Sequence, residues 1–238
     1  MIYRIRGYHR GLGDQLMWSS LPSYLTELGH EVYLLDDPEG KQVQIFTNDE
    51  IKQLVWDYNP FIKGTSEGEW NAGDIVGSKY KNIHNNFIMN SEAMMGLEPH
   101  NSLPKIYYQP NLISGIEGLI ELSAFTLKYD PEKVIQTTKE IMDLNPNIKF
   151  GQLVSQHQSN GITIPGIETI EAKSLFEVTD YIFSAKMFIS LNSGTHMISC
   201  AIPHQTGFKQ YCYLPEKDYD WIWRDRKFVL PGVIYLKV

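Results

Sequence analysis

The strongest constraint on this chain is a repeated order: a short strand, a glycine-bearing turn, then a helix with one apolar face. Ile2 to Arg6 alternates apolar and basic residues and meets Gly7, which reads as a strand. The loop Gly7-Tyr8-His9-Arg10-Gly11-Leu12-Gly13 follows. From Asp14 onward, Met17, Leu21, Tyr24, Leu25 and Leu28 share one helical face, and Gly29 is a C-terminal stop. Pro22 should kink or shorten that helix. Glu31 to Leu35 reads as a second strand. A strand–helix–strand unit of this kind requires a parallel sheet.

The same order returns after Gly118. The apolar run Leu119 to Phe125 is a strand, within Gly118 to Thr126. Asp130-Pro131 is an N-cap followed by proline at the first helical position, predicting a helix to about Leu144. Lys149 to Val154 is a strand, and Ser174-Leu175-Phe176-Glu177 is a capping box opening a helix to about Ser184. Met187 to Leu191 is a strand of the fully buried type, followed by an Asn192-Ser193-Gly194 turn and a helix from Thr195 to Ile202. Tyr211 to Leu214 and Val233 to Val238 are the final strands. Between the halves the pattern is weaker. It suggests a helix from Asp49 to Trp56 capped by Asn48, a polar loop from Gly64 to Asp74, and a short helix from Ser91 to Leu97. An irregular, proline-bearing stretch runs from Leu97 to Pro110. With 238 residues the chain has room for one large domain or two of roughly 110 residues. The repeated order favours two Rossmann-like α/β domains with parallel sheets, expected at 1–107 and 108–238.

Composition excludes several classes. Hydrophobic residues at 42% and charged residues at 21% fit a folded globular chain rather than a disordered one. The net charge of −7 argues against nonspecific binding to a nucleic-acid backbone, which needs a basic face. Cys200 and Cys212 form no C-x-x-C and have no zinc-ligand spacing. No apolar stretch approaches the roughly 18 residues of a membrane span, and the first residues contain no signal-peptide core. These features together make a reduced, cytoplasmic chain the expectation.

In open parallel sheets ligands bind beyond the carboxyl ends of the strands, so two turns are the first places to look. Gly11-Leu12-Gly13-Asp14 lacks the third glycine of a dinucleotide fingerprint, because Leu16 occupies that position. Asp14 is either a functional carboxylate at a helix start or simply its N-cap. The second turn, Asn192-Ser193-Gly194-Thr195-His196, sets helix N–H groups beside two hydroxyls. It suits a phosphate or diphosphate, or else is an ordinary cap. The other histidines show no metal-ligand spacing. Asp36-Asp37 reads best as a charged loop. The aromatic and basic residues from Tyr219 to Phe228 could stack on a base or sugar, or pack with snorkelling cations. No nucleophile elbow and no P-loop is present.

Taken together, Gly11 to Met17, Leu21-Pro22 and Leu28 to Val32 resemble the N-terminus of the heptosyltransferase family, glycosyltransferase family 9. Ile164-Pro165-Gly166, the capped helix at Ser174 to Glu177, and Phe188 to Ala201 resemble its C-terminal signature. Asn192 stands where that family usually has Asp, and His196 lies one residue closer to the glycine than usual. The resemblance implies a GT-B fold, with the parallel sheets of the two domains facing across a cleft, and transfer of a sugar from a nucleotide-activated donor to a hydroxyl acceptor, with no metal and no further cofactor. It implies Asp14 as the general base. Ser193, Gly194, Thr195 and His196 would hold the donor diphosphate, with Lys173 and Lys128 as further phosphate partners. Gly11, Gly13 and Gln15 would form the acceptor-side loop. The acceptor would be a glycan, a small molecule or a modified nucleobase. Two alternatives remain open at this level: a catalytically silent nucleotide- or glycan-binding protein, and a sugar epimerase of similar build.

Overall fold

The computed structural model describes residues 1–5, 11–35, 48–69, 86–124, 127–155, 161–218 and 229–238. Asp36-Asp37 and the stretch from Tyr219 to Phe228 lie outside the described residues.

The first sheet has three parallel strands, β1 (Ile2–Ile5), β2 (Glu31–Leu35) and β3 (Ile62–Ser66), in that order. The second has six parallel strands: β4 (Gly118–Glu121), β5 (Phe150–Ser155), β6 (Glu168–Ala172), β7 (Met187–Leu191), β8 (Lys209–Leu214) and β9 (Val233–Lys237). Their spatial order is β6-β5-β4-β7-β8-β9. From β4 the chain steps outward through β5 to β6. It then returns to β7, beside β4, and steps outward the other way. The strand order therefore reverses between β4 and β7, and such a reversal leaves a crevice at the carboxyl ends of the two strands.

β3 runs into the loop expected at Gly64–Asp74, and β6 lies in a stretch the sequence pattern leaves unassigned. Their residues, Ile62-Lys63-Gly64-Thr65-Ser66 and Glu168-Thr169-Ile170-Glu171-Ala172, are mostly exposed and mostly polar. Each is an edge strand held by backbone pairing to one neighbour, and polar residues on edges discourage pairing with other chains. Apolar periodicity cannot reveal such strands.

Helices follow the capping chemistry. α5 (Pro131–Asp143) begins at Asp130, which accepts from the Glu132 and Lys133 N–H groups. α6 (Leu175–Ser184) begins at Ser174, which accepts from Glu177 N, while Glu177 reaches back to Lys173 N at 2.7 Å. The first long helix is split into α1 (Leu12–Trp18) and α2 (Leu21–Glu27). Pro22 sits in the first turn of α2, where a missing N–H costs nothing. α3 (Asn48–Lys52) continues into a wider turn at Gln53–Asp57. α4 is Phe87–Met94 rather than the expected Ser91–Leu97. Its cap is Asn86, whose side chain accepts from Ile88 N and Met89 N at 2.9 and 3.2 Å. α7 (Gly194–Ala201) follows β7.

One core runs through both halves. Ile5, Leu16, Leu25 and Trp56 join Leu119, Phe188, Met197 and Ile198 in a single apolar cluster. The other face of the six-stranded sheet packs Ile120, Met187, Ile189 and Leu191 against Val134 and Ile141 of α5. Alternation along β4 and β7 thus sends successive residues to opposite layers.

The irregular stretch after α4 is bonded to both halves. Lys105 N donates to Ser19 Oγ at 2.9 Å and Ile106 N to Ala201 O at 3.1 Å. Buried Asp180 of α6 accepts from Tyr108 Oη and from Asn111 N, both at 2.9 Å. Burial, with the Asp180 charge behind it, pushes the Tyr108 phenol up to about 12. The expected boundary after Tyr107 falls inside this strap. Asp180→Ala would orphan these donors, and it should lower unfolding free energy by about 2–3 kcal/mol in urea denaturation.

Candidate functional site

The crevice at the β4–β7 reversal is built from a strand end and a helix start. Glu121 closes β4 and pairs in register with Ser190 of β7. It lies on the face of the sheet covered by α7, two residues on from Leu119. Its carboxylate is buried, with 1% of the residue exposed. One oxygen accepts from the Ser123 N–H, at 3.2 Å, and from the Ser123 hydroxyl. The other accepts from the Thr195 hydroxyl. Thr195 Oγ1 in turn lies 2.8 Å from Ser193 Oγ. A cavity of about 30 Å³ adjoins Glu121 between the ends of β4 and β5, lined also by Ser123, Gln152 and Thr163.

Ser193 holds the N-cap position of α7 in extended conformation, yet its side chain makes no cap hydrogen bond. The Gly194, Thr195 and His196 N–H groups have no intrahelical acceptor, as in any first turn. Next to them, Asn192 N donates to Tyr129 Oη at 3.0 Å, and that hydroxyl donates to Tyr213 O at 3.1 Å. This bond ties the turn to the chain just before α5.

The start of α1 is pressed against the start of α7. A Cβ on Gly13 would stand 3.7 Å from Gly194 Cα and 3.6 Å from Met197 Cγ. A Cβ on Gly194 would meet Leu12 Cδ2 at 2.9 Å and Leu12 Cβ at 3.0 Å. Gly194 therefore permits the contact, whereas a Cβ at Gly13 would meet only ordinary van der Waals neighbours. Two helix N-termini meet there, each carrying partial positive charge, so the junction favours anions. Asp14 sits half-buried in the first turn of α1. It does not cap the helix, because Gly11 occupies that place.

The remaining expected site residues divide. Gly13 and Gly194 meet at the junction, with Gly11 and Asp14 at the start of α1 and Ser193 and Thr195 at the start of α7. Gln15 is buried and accepts from Trp56 Nε1 at 2.9 Å, so it serves the core of the first half. Lys173 and Lys128 are exposed. The His196 ring is fully buried and turned into the sheet. Gln210 Nε2 stands 2.8 Å from Nδ1, which makes Nε2 the protonated nitrogen, 3.0 Å from Tyr235 Oη. Burial pulls this imidazole down to about 3. A neutral, enclosed ring cannot supply charge to a ligand, so His196 contributes only its backbone N–H to the helix start. Glu121 and Ser123 were not singled out from the sequence. The one available signal was a carboxylate within an otherwise apolar strand, Leu119-Ile120-Glu121-Leu122. Among the described residues, no three His, Cys, Asp or Glu side chains are grouped to hold a metal ion.

The two parallel α/β sheets, meeting through the starts of α1 and α7, define the chain as a GT-B-like protein. No protein-family model matches the sequence, and comparison with curated proteins finds no match. Solved structures do match in fold. A glycosyltransferase of family 9 from Veillonella parvula aligns with a TM-score of 0.60 at 9% identity, over all of this chain and 86% of that one. The E. coli heptosyltransferase WaaC with ADP aligns at 0.57 and 11%, over all of this chain and 93% of that one. The iron-containing dodecameric glycosyltransferase TibC from enterotoxigenic E. coli aligns at 0.58 and 13%, over 98% of this chain. The chain spans about three-fifths of TibC, 61% of its length.

Gly194→Ala should force the two helices apart and lower stability by about 1–3 kcal/mol, as overpacking does, measured as a fall in melting temperature. His196 predicts a pH effect. Its folded value, about 3, lies below the ordinary 6.5, so the unfolded chain takes up the proton first. Stability should therefore fall as pH drops from about 6.5 toward 3, by up to about 1.4 kcal/mol per pH unit from this group. The difference between wild type and His196→Gln across that window isolates the contribution.

Proposed function

We propose that this chain is a glycosyltransferase that moves a sugar from a nucleoside-diphosphate donor to a hydroxyl acceptor. The observation that carries the proposal is the meeting of the α1 and α7 starts at the β4–β7 reversal. We read Asp14, half-buried in the first turn of α1, as the carboxylate that faces the uncapped start of α7. The structurally similar heptosyltransferases, one with ADP and another with ADP-D-beta-D-heptose, support this reading.

In this proposal the donor diphosphate lies against the Gly194, Thr195 and His196 N–H groups, with the Ser193 hydroxyl at its edge. These groups stabilise the charge that builds on the nucleotide as the glycosidic bond breaks. Asp14 accepts the acceptor hydroxyl's proton while the oxygen attacks the anomeric carbon. The nucleoside diphosphate leaves with the electron pair. Lys128 and Lys173 are exposed and act on a ligand that extends past the turn. The acceptor enters along Gly11 and Gly13, and it is a glycan, a small molecule or a modified nucleobase. No metal takes part in this scheme, so EDTA should leave the rate unchanged. The reaction is placed in the cytoplasm, and no helix of the described residues is long and apolar enough to cross a membrane.

The silent-binder alternative would leave Asp14 without a role at the crevice. An epimerase would need a second acid or base facing Asp14, whereas Glu121 is committed to Ser123 and Thr195.

Thermal-shift measurements with ADP, UDP, GDP, CDP and their sugar conjugates test the donor site. A diphosphate at 100 times its Kd should stabilise by about 2.7 kcal/mol. Asp14→Asn should cut transfer by about 10²–10⁴-fold with nucleotide binding nearly intact. If that variant lost nucleotide binding and transfer together, Asp14 would belong to the donor site instead.

A further inference from the structure

Ser193 presents a contradiction that the fold itself resolves. A serine in extended conformation at an N-cap ordinarily turns its hydroxyl onto the N–H groups two and three residues ahead. Ser193 has that backbone conformation and makes no such bond. Its hydroxyl is instead 2.8 Å from Thr195 Oγ1. The Thr195 proton is committed to Glu121, so Thr195 can only accept from Ser193. The chain of donors runs Ser193 to Thr195 to Glu121 and ends on a buried carboxylate.

That carboxylate has no evident place in an apolar strand. A buried charge is costly unless it is fully hydrogen-bonded. A negative charge beneath an anion site also gives no attraction to a phosphate. What Glu121 does have is reach across the β4–β7 reversal. One oxygen holds Ser123, where the chain leaves β4, and the other holds Thr195 in the first turn of α7.

We propose that Glu121 is a positioning residue: through Thr195 it draws Ser193 away from the α7 amides, so that those N–H groups stay open to a nucleoside diphosphate. The role rests on the donor-site assignment made above. Without the carboxylate, Thr195 releases Ser193, and the serine closes onto the helix start as an ordinary cap. The anion site is then occupied by the protein's own hydroxyl. Ser123 loses its anchor in the same step, and the β4 wall of the crevice loosens with it.

Two measurements on the whole 238-residue chain test this, with wild type, Glu121→Ala and Glu121→Gln. The first is calorimetric titration with ADP, UDP, GDP and CDP. The best-binding diphosphate should bind Glu121→Ala at least about tenfold more weakly. Glu121→Gln keeps one acceptor oxygen for Thr195 and should lose less. The second measurement is hydrogen exchange of the Thr195 and His196 amides without ligand, which should slow in Glu121→Ala as Ser193 caps α7. A merely structural carboxylate predicts the opposite, faster exchange with lower stability. Should Glu121→Ala fail to fold, the Gln variant, nearly equal in shape, carries both readouts. Wild-type binding with unchanged affinity in the folded variants would overturn the role of Glu121 alone. Absence of binding by wild type would overturn the donor-site assignment and this role with it.

Discussion

The close approach of α1 and α7 is the contact on which the rest depends. It exists because Gly194 carries no side chain to press on Leu12, and because Leu12 and Met197 fill the space around the contact. Through it, the apolar face of the first three strands and the apolar face of β4 and β7 become one core. The same contact sets the positive ends of two helices side by side. Packing and electrostatics are therefore not separable here. A side chain at Gly194 would press on Leu12 and so disturb the core and the crevice together.

The polar groups around that contact are sorted by burial. His196 and Gln15 carry side chains that could bind a ligand, yet both are enclosed and spend their hydrogen bonds on Gln210, Tyr235 and Trp56. Ser193 and Asp14 stay half-buried at the starts of α7 and α1, whereas Thr195 is buried and bonded to Glu121. Glu121 lies beneath, linking the exit of β4 to the entrance of α7. Tyr129 performs a similar service from the other side by holding Asn192. The strap from Leu97 to Glu117 then bonds α2 and the α1–α2 turn to α6 and α7, which limits how far the halves can move apart.

Much of this was legible in the linear chain because it is written in local chemistry. Asp130-Pro131 and the Ser174–Glu177 box start α5 and α6 where capping rules place them. Alternation and apolar runs mark β1, β2, β4, β5 and β7. The two turns at Gly11–Asp14 and Asn192–His196 stand out because strand, glycine and helix follow in quick succession. Less local features were hidden. β3 and β6 are edge strands whose residues are polar, so only their backbones declare them. α4 starts at Phe87, behind its Asn86 cap, four residues before a helix that periodicity alone would begin at Ser91 (an asparagine cap carries no apolar signal). The position of Asp14 depended on where α1 begins, and Gly11 took the cap.

The sequence by itself determined the class of the fold: two parallel α/β units, with turns at Gly11–Asp14 and Asn192–His196 as the places to look for a ligand. Local propensity, capping and apolar period suffice for that, since each acts over a few residues. Only the tertiary structure decided which side chains face the crevice. Whether a histidine or a glutamate is a ligand, a core residue or a support depends on what lies across the sheet, and such contacts join residues 74 positions apart, as Glu121 and Thr195 are. No local pattern encodes that distance. The assembled sheet order brings the two together, turns His196 inward, and leaves the start of α7 open.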